Sequence, residues 1–306
     1  MKEGNPRAIL TPEKIRGLAS DFGCEPDSVV VEQNAGERRL FGIFRAVSRE
    51  DGEPMIIKVA TEKRTQALLE NEAYVLRTIP RDYLSENHLL VPELRGDLTE
   101  SGGLTAIMIN ELPQGEKATF AGFGWALEVF HRMEIPQEME IETIGPRDYL
   151  EKGLSRLAFL KRMGWLKGLS EREFRRIEEL YSRDWELLGS YGMAFVHGDF
   201  KRNHLWWAGE GLALIDFDKS VWGSELEDPA WLSVRCPGFK KEVIAYLTQR
   251  FGNDQEKLAY FDEAFRLMQT DRLIEAYFTR TVQWRGNMDV RSYLQKTYGR
   301  ALLLRV

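Results

Sequence analysis

Apolar positions along this chain change their period three times. In the first third they alternate or run in short blocks. The segments 29–32, 40–47, 55–60 and 104–109 read as strands. The polar stretch 33–39 and the Glu50-Asp51-Gly52-Glu53 turn separate the first three. Two helices belong to this part. The first opens on Thr11-Pro12-Glu13, a capping Thr with Pro at the first helical position, and runs to about Phe22 before Gly23. The second spans about 64–79 and carries Leu68, Leu69, Leu76 and Ile79 as one stripe. After Gly115 the spacing turns helical. Phe123, Leu127, Phe130 and Met133 share one face. Leu150, Leu154, Leu157 and Lys161 mark a second, and Phe174, Ile177, Tyr181 and Leu188 a third. These stripes read as core. Strand character then returns at 193–196. Residues 205–207 are expected to pair with 212–215 through Ala208-Gly209-Glu210-Gly211. Four helical stretches follow, about 240–251, 256–269, 271–285 and 289–303. The pattern predicts an α+β chain with a β-rich lobe (1–110), a connector (111–115) and a mostly helical lobe (116–306).

The bulk properties narrow the function classes. At roughly 150 residues per domain, 306 residues make two lobes. A composition 43% hydrophobic and 29% charged provides an ordinary core. The net charge of −6 argues against a general nucleic-acid binder. Cys24 and Cys236 are too few and too distant for a disulfide framework or a zinc site. The first residues lack an apolar signal core, and no apolar run approaches the roughly 18 residues of a membrane span. The expectation is a cytoplasmic protein with neither membrane nor nucleic-acid partner. Its oligomeric state is not legible.

Two places carry candidate chemistry. On strand 55–60, Lys58 shares a face with Ile56 and Ala60, so it needs an anion. Glu72 lies on the apolar stripe of the next helix, whereas Glu70 lies off it. A carboxylate on an apolar face is costly unless paired, which makes Lys58–Glu72 the natural pair. The second place is His197-Gly198-Asp199-Phe200-Lys201-Arg202-Asn203-His204, closed by Ile215-Asp216-Phe217-Asp218. Two carboxylates, Asp199 and Asp216, stand seventeen residues apart around the hairpin. Carboxylates with a nitrogen or amide-oxygen ligand on a small rigid hairpin suit Mg2+ held against phosphate oxygens.

These motifs resemble those of the kinase-like phosphotransferases that include aminoglycoside phosphotransferases and choline kinases. The family's H-G-D-x-x-x-x-N loop and its I-D-F or I-D-W segment match His197-Gly198-Asp199 and Ile215-Asp216-Phe217. The fifth position after the Asp is His204, with Asn203 one place early. The resemblance implies a bilobal, protein-kinase-like fold with ATP bound between the lobes, and a small-molecule hydroxyl acceptor. It implies that Asp199 is the base and that Lys201 steadies developing charge. Asp216 and His204 would hold Mg2+, with Asn203 in reserve. Lys58, held by Glu72, would engage the phosphates beneath the turn that carries Gly36. Adenine would meet the backbone at Glu111 and Leu112. In Gly223–Trp231, the Asp228-Pro229-Ala230-Trp231 run resembles an element that supports the catalytic loop. Asp228 reads equally as a helix cap. The acidic 223–228 segment fits a cationic acceptor, and the basic excess after Asp271 fits a neutral or anionic one. A nucleotide-binding scaffold and a protein kinase are the competing readings. The short stretch between Asp216 and Asp228 leaves little room for a long activation loop.

Overall fold

The computed structural model describes residues 10–33, 41–101, 103–134, 140–164, 171–172, 175, 177–179 and 185–284. These fall into two compact units. The first comprises the described residues up to Ala118 together with Asn203–Ser220. The second comprises those of Thr119–Glu134 and Glu140–Arg202, and the described residues from Val221 onward. Among the described residues, no helix is long and apolar enough to cross a membrane.

The first unit opens with α1 (Pro12–Asp21), whose cap Thr11 accepts from the N–H of Lys14 at 3.3 Å. Strands β1 (Val30–Gln33), β2 (Phe41–Val47) and β3 (Pro54–Ala60) follow. Then come α2 (Lys63–Thr78), α3 (Arg81–Glu86), β4 (Leu89–Leu90), β5 (Thr99–Ser101) and β6 (Leu104–Asn110). An antiparallel sheet runs in the order β1-β2-β3-β6-β5. Its inner residues Phe44, Ile57, Val59 and Met108 pack with Ile15, Leu18 and Ala19 of α1. The segment 34–40, and with it Gly36, lies outside the described residues.

The hairpin of β9 (Leu205–Ala208) and β10 (Gly211–Leu214) also belongs to this unit. Its register, Leu205↔Leu214 to Ala208↔Gly211, is the one expected from the turn. β10 pairs in parallel with β4, and β9 pairs with β7 (Glu116–Lys117), which completes a second sheet. At Gly115 a Cβ would stand 1.6 Å from the Trp207 carbonyl oxygen, so only Gly permits this close approach.

The second unit is built on α4 (Phe120–Arg132), α5 (Pro146–Arg162), α6 (Trp185–Leu188), α7 (Glu227–Arg235), α8 (Lys240–Arg250) and α9 (Gln255–Trp284). A two-stranded ribbon, β8 (Met193–Val196) with β11 (Val221–Ser224), completes it. Phe123, Leu127, Phe130 and Met133 are buried, as the α4 stripe requires. The α5 face differs from the expected one. Tyr149, Gly153, Leu157 and Leu160 face inward and Leu154 is exposed. The helix is turned because the Tyr149 hydroxyl bonds the buried Glu227 carboxylate and accepts from Ser224 N. The expected break before Asp271 is also absent, and α9 is continuous there. Thr270 Oγ1 returns to the Arg266 carbonyl at 2.8 Å, while Asp271 pairs with Arg272 instead of starting a helix. The expected helix at 289–303, and Phe174 and Tyr181, lie outside the described residues.

Candidate active site

In the first unit, β3 and α2 bring Lys58 and Glu72 together. Lys58 Nζ lies 2.6 and 2.9 Å from the two Glu72 oxygens and 2.8 Å from Asp216 Oδ1. Lys58 and Glu72 are buried. Burial alone would lower the Lys58 ammonium, but the Asp216 and Glu72 charges outweigh it and hold Lys58 above its ordinary value. Burial raises the Glu72 carboxyl; Lys58 opposes this and Asp216 adds to it. The other Asp216 oxygen, Oδ2, is 3.1 Å from Nε2 of the buried His204. Asn203, by contrast, is exposed. Asp216 sits at φ 76°, in the left-handed region that few non-Gly residues adopt. Two positions further, burial and the Asp216 charge push the Asp218 carboxyl well up.

The 111–115 segment is tied down by its neighbours. The Glu111 N–H donates to the Pro54 carbonyl at 3.0 Å, and the Glu111 carboxylate takes Arg45 Nη2 at 2.7 Å. A backbone role for Glu111 toward a ligand therefore falls to its carbonyl. Leu112 is half-buried, and the Pro113 carbonyl accepts from Trp206 Nε1 at 2.7 Å.

In the second unit, β8 delivers the loop that carries Asp199. Gly198 stands at φ 78°, which explains the Gly of the H-G-D triplet. Asp228 accepts from the N–H groups of His197 at 2.7 Å and Gly198 at 3.0 Å. It lies within the first turn of α7 and so supports the loop; Leu226 occupies the cap position where Asp228 itself was the alternative. Burial pushes the Asp228 carboxyl up to about 7 although those N–H groups oppose it. His197 Nδ1 accepts from the Asp199 N–H at 3.3 Å, which ties the ring to the loop it opens. The Asp199 carboxylate is held at both oxygens. Trp231 Nε1 donates to Oδ1 at 3.1 Å, and Lys201 Nζ lies 2.5 Å from Oδ2. Phe200 anchors the loop edge-on to Phe123.

Three contributors were not anticipated. Trp231 closes the run that resembles the loop-supporting element, and nothing in its spacing reveals that its indole N–H reaches a carboxylate. Asn71, beside Glu72, donates to the backbone near Asp216. Arg272 counted toward the basic excess of the tail, yet it is buried against Glu227, Asp271 and Glu275. Its charge is neutralised internally and offers nothing to an anionic acceptor.

Solved structures share the fold of this chain. The chain superposes on the GDP and kanamycin complex of APH(2")-IIia with a TM-score of 0.64 at 14% identity, covering 89% of this chain and 92% of that one. A choline kinase from Cryptosporidium parvum Iowa II gives 0.62 at 12% identity, with 96% and 95% covered. A Plasmodium vivax ethanolamine kinase gives 0.61 at 12% identity, with 100% and 98% covered. The fold is therefore α+β and protein-kinase-like. Residues 42–261 match the phosphotransferase enzyme family, and the chain belongs to that family. No curated protein sequence matches it.

Proposed function

We propose that this phosphotransferase moves the γ-phosphoryl group of ATP to the hydroxyl of a small molecule. The observation that carries the reading is the Lys58–Glu72–Asp216–His204 cluster in a chain of this family. Phosphoryl transfer asks a protein for positioning and charge neutralisation rather than covalent chemistry. Lys58, fixed by Glu72, binds phosphate oxygens. The Asp216 carboxylate suits Mg2+, which takes one or two protein carboxylates and keeps several waters; His204 stands beside it as the second proposed ligand although an imidazole is a softer donor than this ion prefers, and Asn203, with an amide oxygen, is the reserve ligand. When bound, Mg2+ offsets the negative charge of the phosphates. Gly36, outside the described residues, stays the residue proposed to meet the phosphates, and Glu111 and Leu112 offer backbone groups to adenine.

Asp199 orients the acceptor hydroxyl and takes its proton as the new oxygen–phosphorus bond forms and ADP leaves. Lys201, paired with the Asp199 carboxylate, steadies the charge that develops on the transferred phosphoryl. The acceptor is a small alcohol. The similar structures include a kanamycin complex, a choline kinase and an ethanolamine kinase, so amino-alcohols and aminoglycosides head the panel to be tried, with neutral sugars beside them.

The test is ADP release from Mg2+·ATP with that panel. At least one acceptor is expected to stimulate turnover. Asp199→Asn should lower the stimulated rate by about 10²–10⁴-fold and leave nucleotide affinity unchanged. Tight ATP binding that no acceptor turns over would favour a nucleotide-binding scaffold instead.

A further inference from the structure

Asn71 precedes Glu72 on α2, and its side chain is half-buried. Its Nδ2 donates to the carbonyl oxygens of Asp218 at 3.2 Å and Ser220 at 3.1 Å. Those carbonyls belong to the turn that leaves Asp216, which the Ser220 N–H closes onto the Phe217 carbonyl at 3.1 Å. Asp216 holds a left-handed backbone, φ 76°, which a non-Gly residue keeps only where its surroundings fix it. Lys58 and His204 fix its side chain, and Asn71 fixes the chain just beyond it. Both restraints trace back to adjacent residues of one helix. Glu72 acts through Lys58 on the Asp216 carboxylate, and Asn71 acts on the Asp216 backbone. A primary amide of this size can donate two hydrogens to two carbonyls from a single nitrogen; Asp and Leu, of like shape, donate none.

We propose that Asn71 is a positioning residue. By clamping the turn after Asp216 it sets the angle of that carboxylate for the divalent cation of a metal–nucleotide complex, so that α2 places Lys58 and Asp216 together. The inference rests on the reading that Asp216 binds Mg2+ with ATP.

Calorimetry on the full chain tests it, with the non-hydrolysable analogue AMP-PNP in excess Mg2+ and again in EDTA. The wild type should bind more tightly with Mg2+. Asn71→Leu should lose about tenfold in affinity with Mg2+, the scale of two lost neutral hydrogen bonds, and less than about twofold in EDTA. Glu70→Ala, on the exposed side of the same helix, should match the wild type in both. Should Asn71→Leu fail to fold, Asn71→Asp takes its place and is expected to give the same pattern. Unchanged Mg2+ dependence in a folded Asn71 variant overturns the role of Asn71 alone. So does an equal loss with and without Mg2+, which marks a merely structural residue. No Mg2+-dependent tightening in the wild type removes the metal reading and this inference with it.

Discussion

Lys58 and Asp199 are both buried charges, and the two units hold them by different means. Lys58 is held by opposite charge, since Glu72 and Asp216 both lie within hydrogen-bond distance of its ammonium. Asp199 has one opposite charge, Lys201 at 2.5 Å from Oδ2, and beyond it is held by directed donors and packing. The Trp231 indole fixes one carboxylate oxygen, while Asp228 clamps the backbone before it and Phe200 wedges the loop among aromatic rings. The contrast has a physical reading. An ion pair out of water offsets its desolvation only with good geometry, and it does not tolerate the loss of a partner. A hydrogen-bonded loop tolerates loss of one donor but then gives up orientation.

The sharpest way to break the comparison is Lys58→Met. It leaves Glu72 and Asp216 without their cation and should cost about 3–5 kcal/mol in urea unfolding, because a buried charge is left unpaired. Adding Glu72→Leu should return most of that stability and none of the nucleotide affinity. Stability that stays low in the double variant would mean that Lys58 is held by packing rather than charge.

The next largest effect concerns Asp228. Its carboxyl titrates near 7 in the folded chain, above its ordinary value of 3.8. The folded state therefore keeps a proton that the unfolded state has lost, and wild-type stability should fall as pH rises from about 4 to about 7. In Asp228→Asn that part of the slope disappears, so the difference between the two proteins should change by up to roughly 4 kcal/mol across the window. Parallel curves for the two proteins in pH-dependent denaturation would refute the assignment.

The smallest effect should come from Trp231→Phe, which keeps the buried ring and removes one donor to Asp199. A fall of about five- to tenfold in kcat, with KM for ATP unchanged, is the expected result. A changed KM with unchanged kcat would show that the indole supports nucleotide binding rather than Asp199.

Much of the architecture was legible from local pattern. Alternation located β1, β2, β3 and β6 of the first sheet but not the short edge strand β5, and the Gly-rich turn located the β9–β10 hairpin. A carboxylate set on an apolar stripe pointed Glu72 toward Lys58. Where pattern misled, a long-range partner had overruled it. The α5 helix turned Tyr149 inward to reach Glu227, seventy-eight residues away. Asp271 looked like a helix start and became part of a buried ion network.

The sequence by itself determined which residues bear charge and which faces are apolar, because each follows from the chemistry of one residue and its near neighbours. Only the tertiary structure decided that the Asn71 amide reaches the turn behind Asp216, that the Trp231 N–H meets Asp199 and that Arg272 is spent inside the second unit. Those contacts join residues 32 to 147 positions apart. A hydrogen bond at that separation leaves no periodicity for a linear reading to detect.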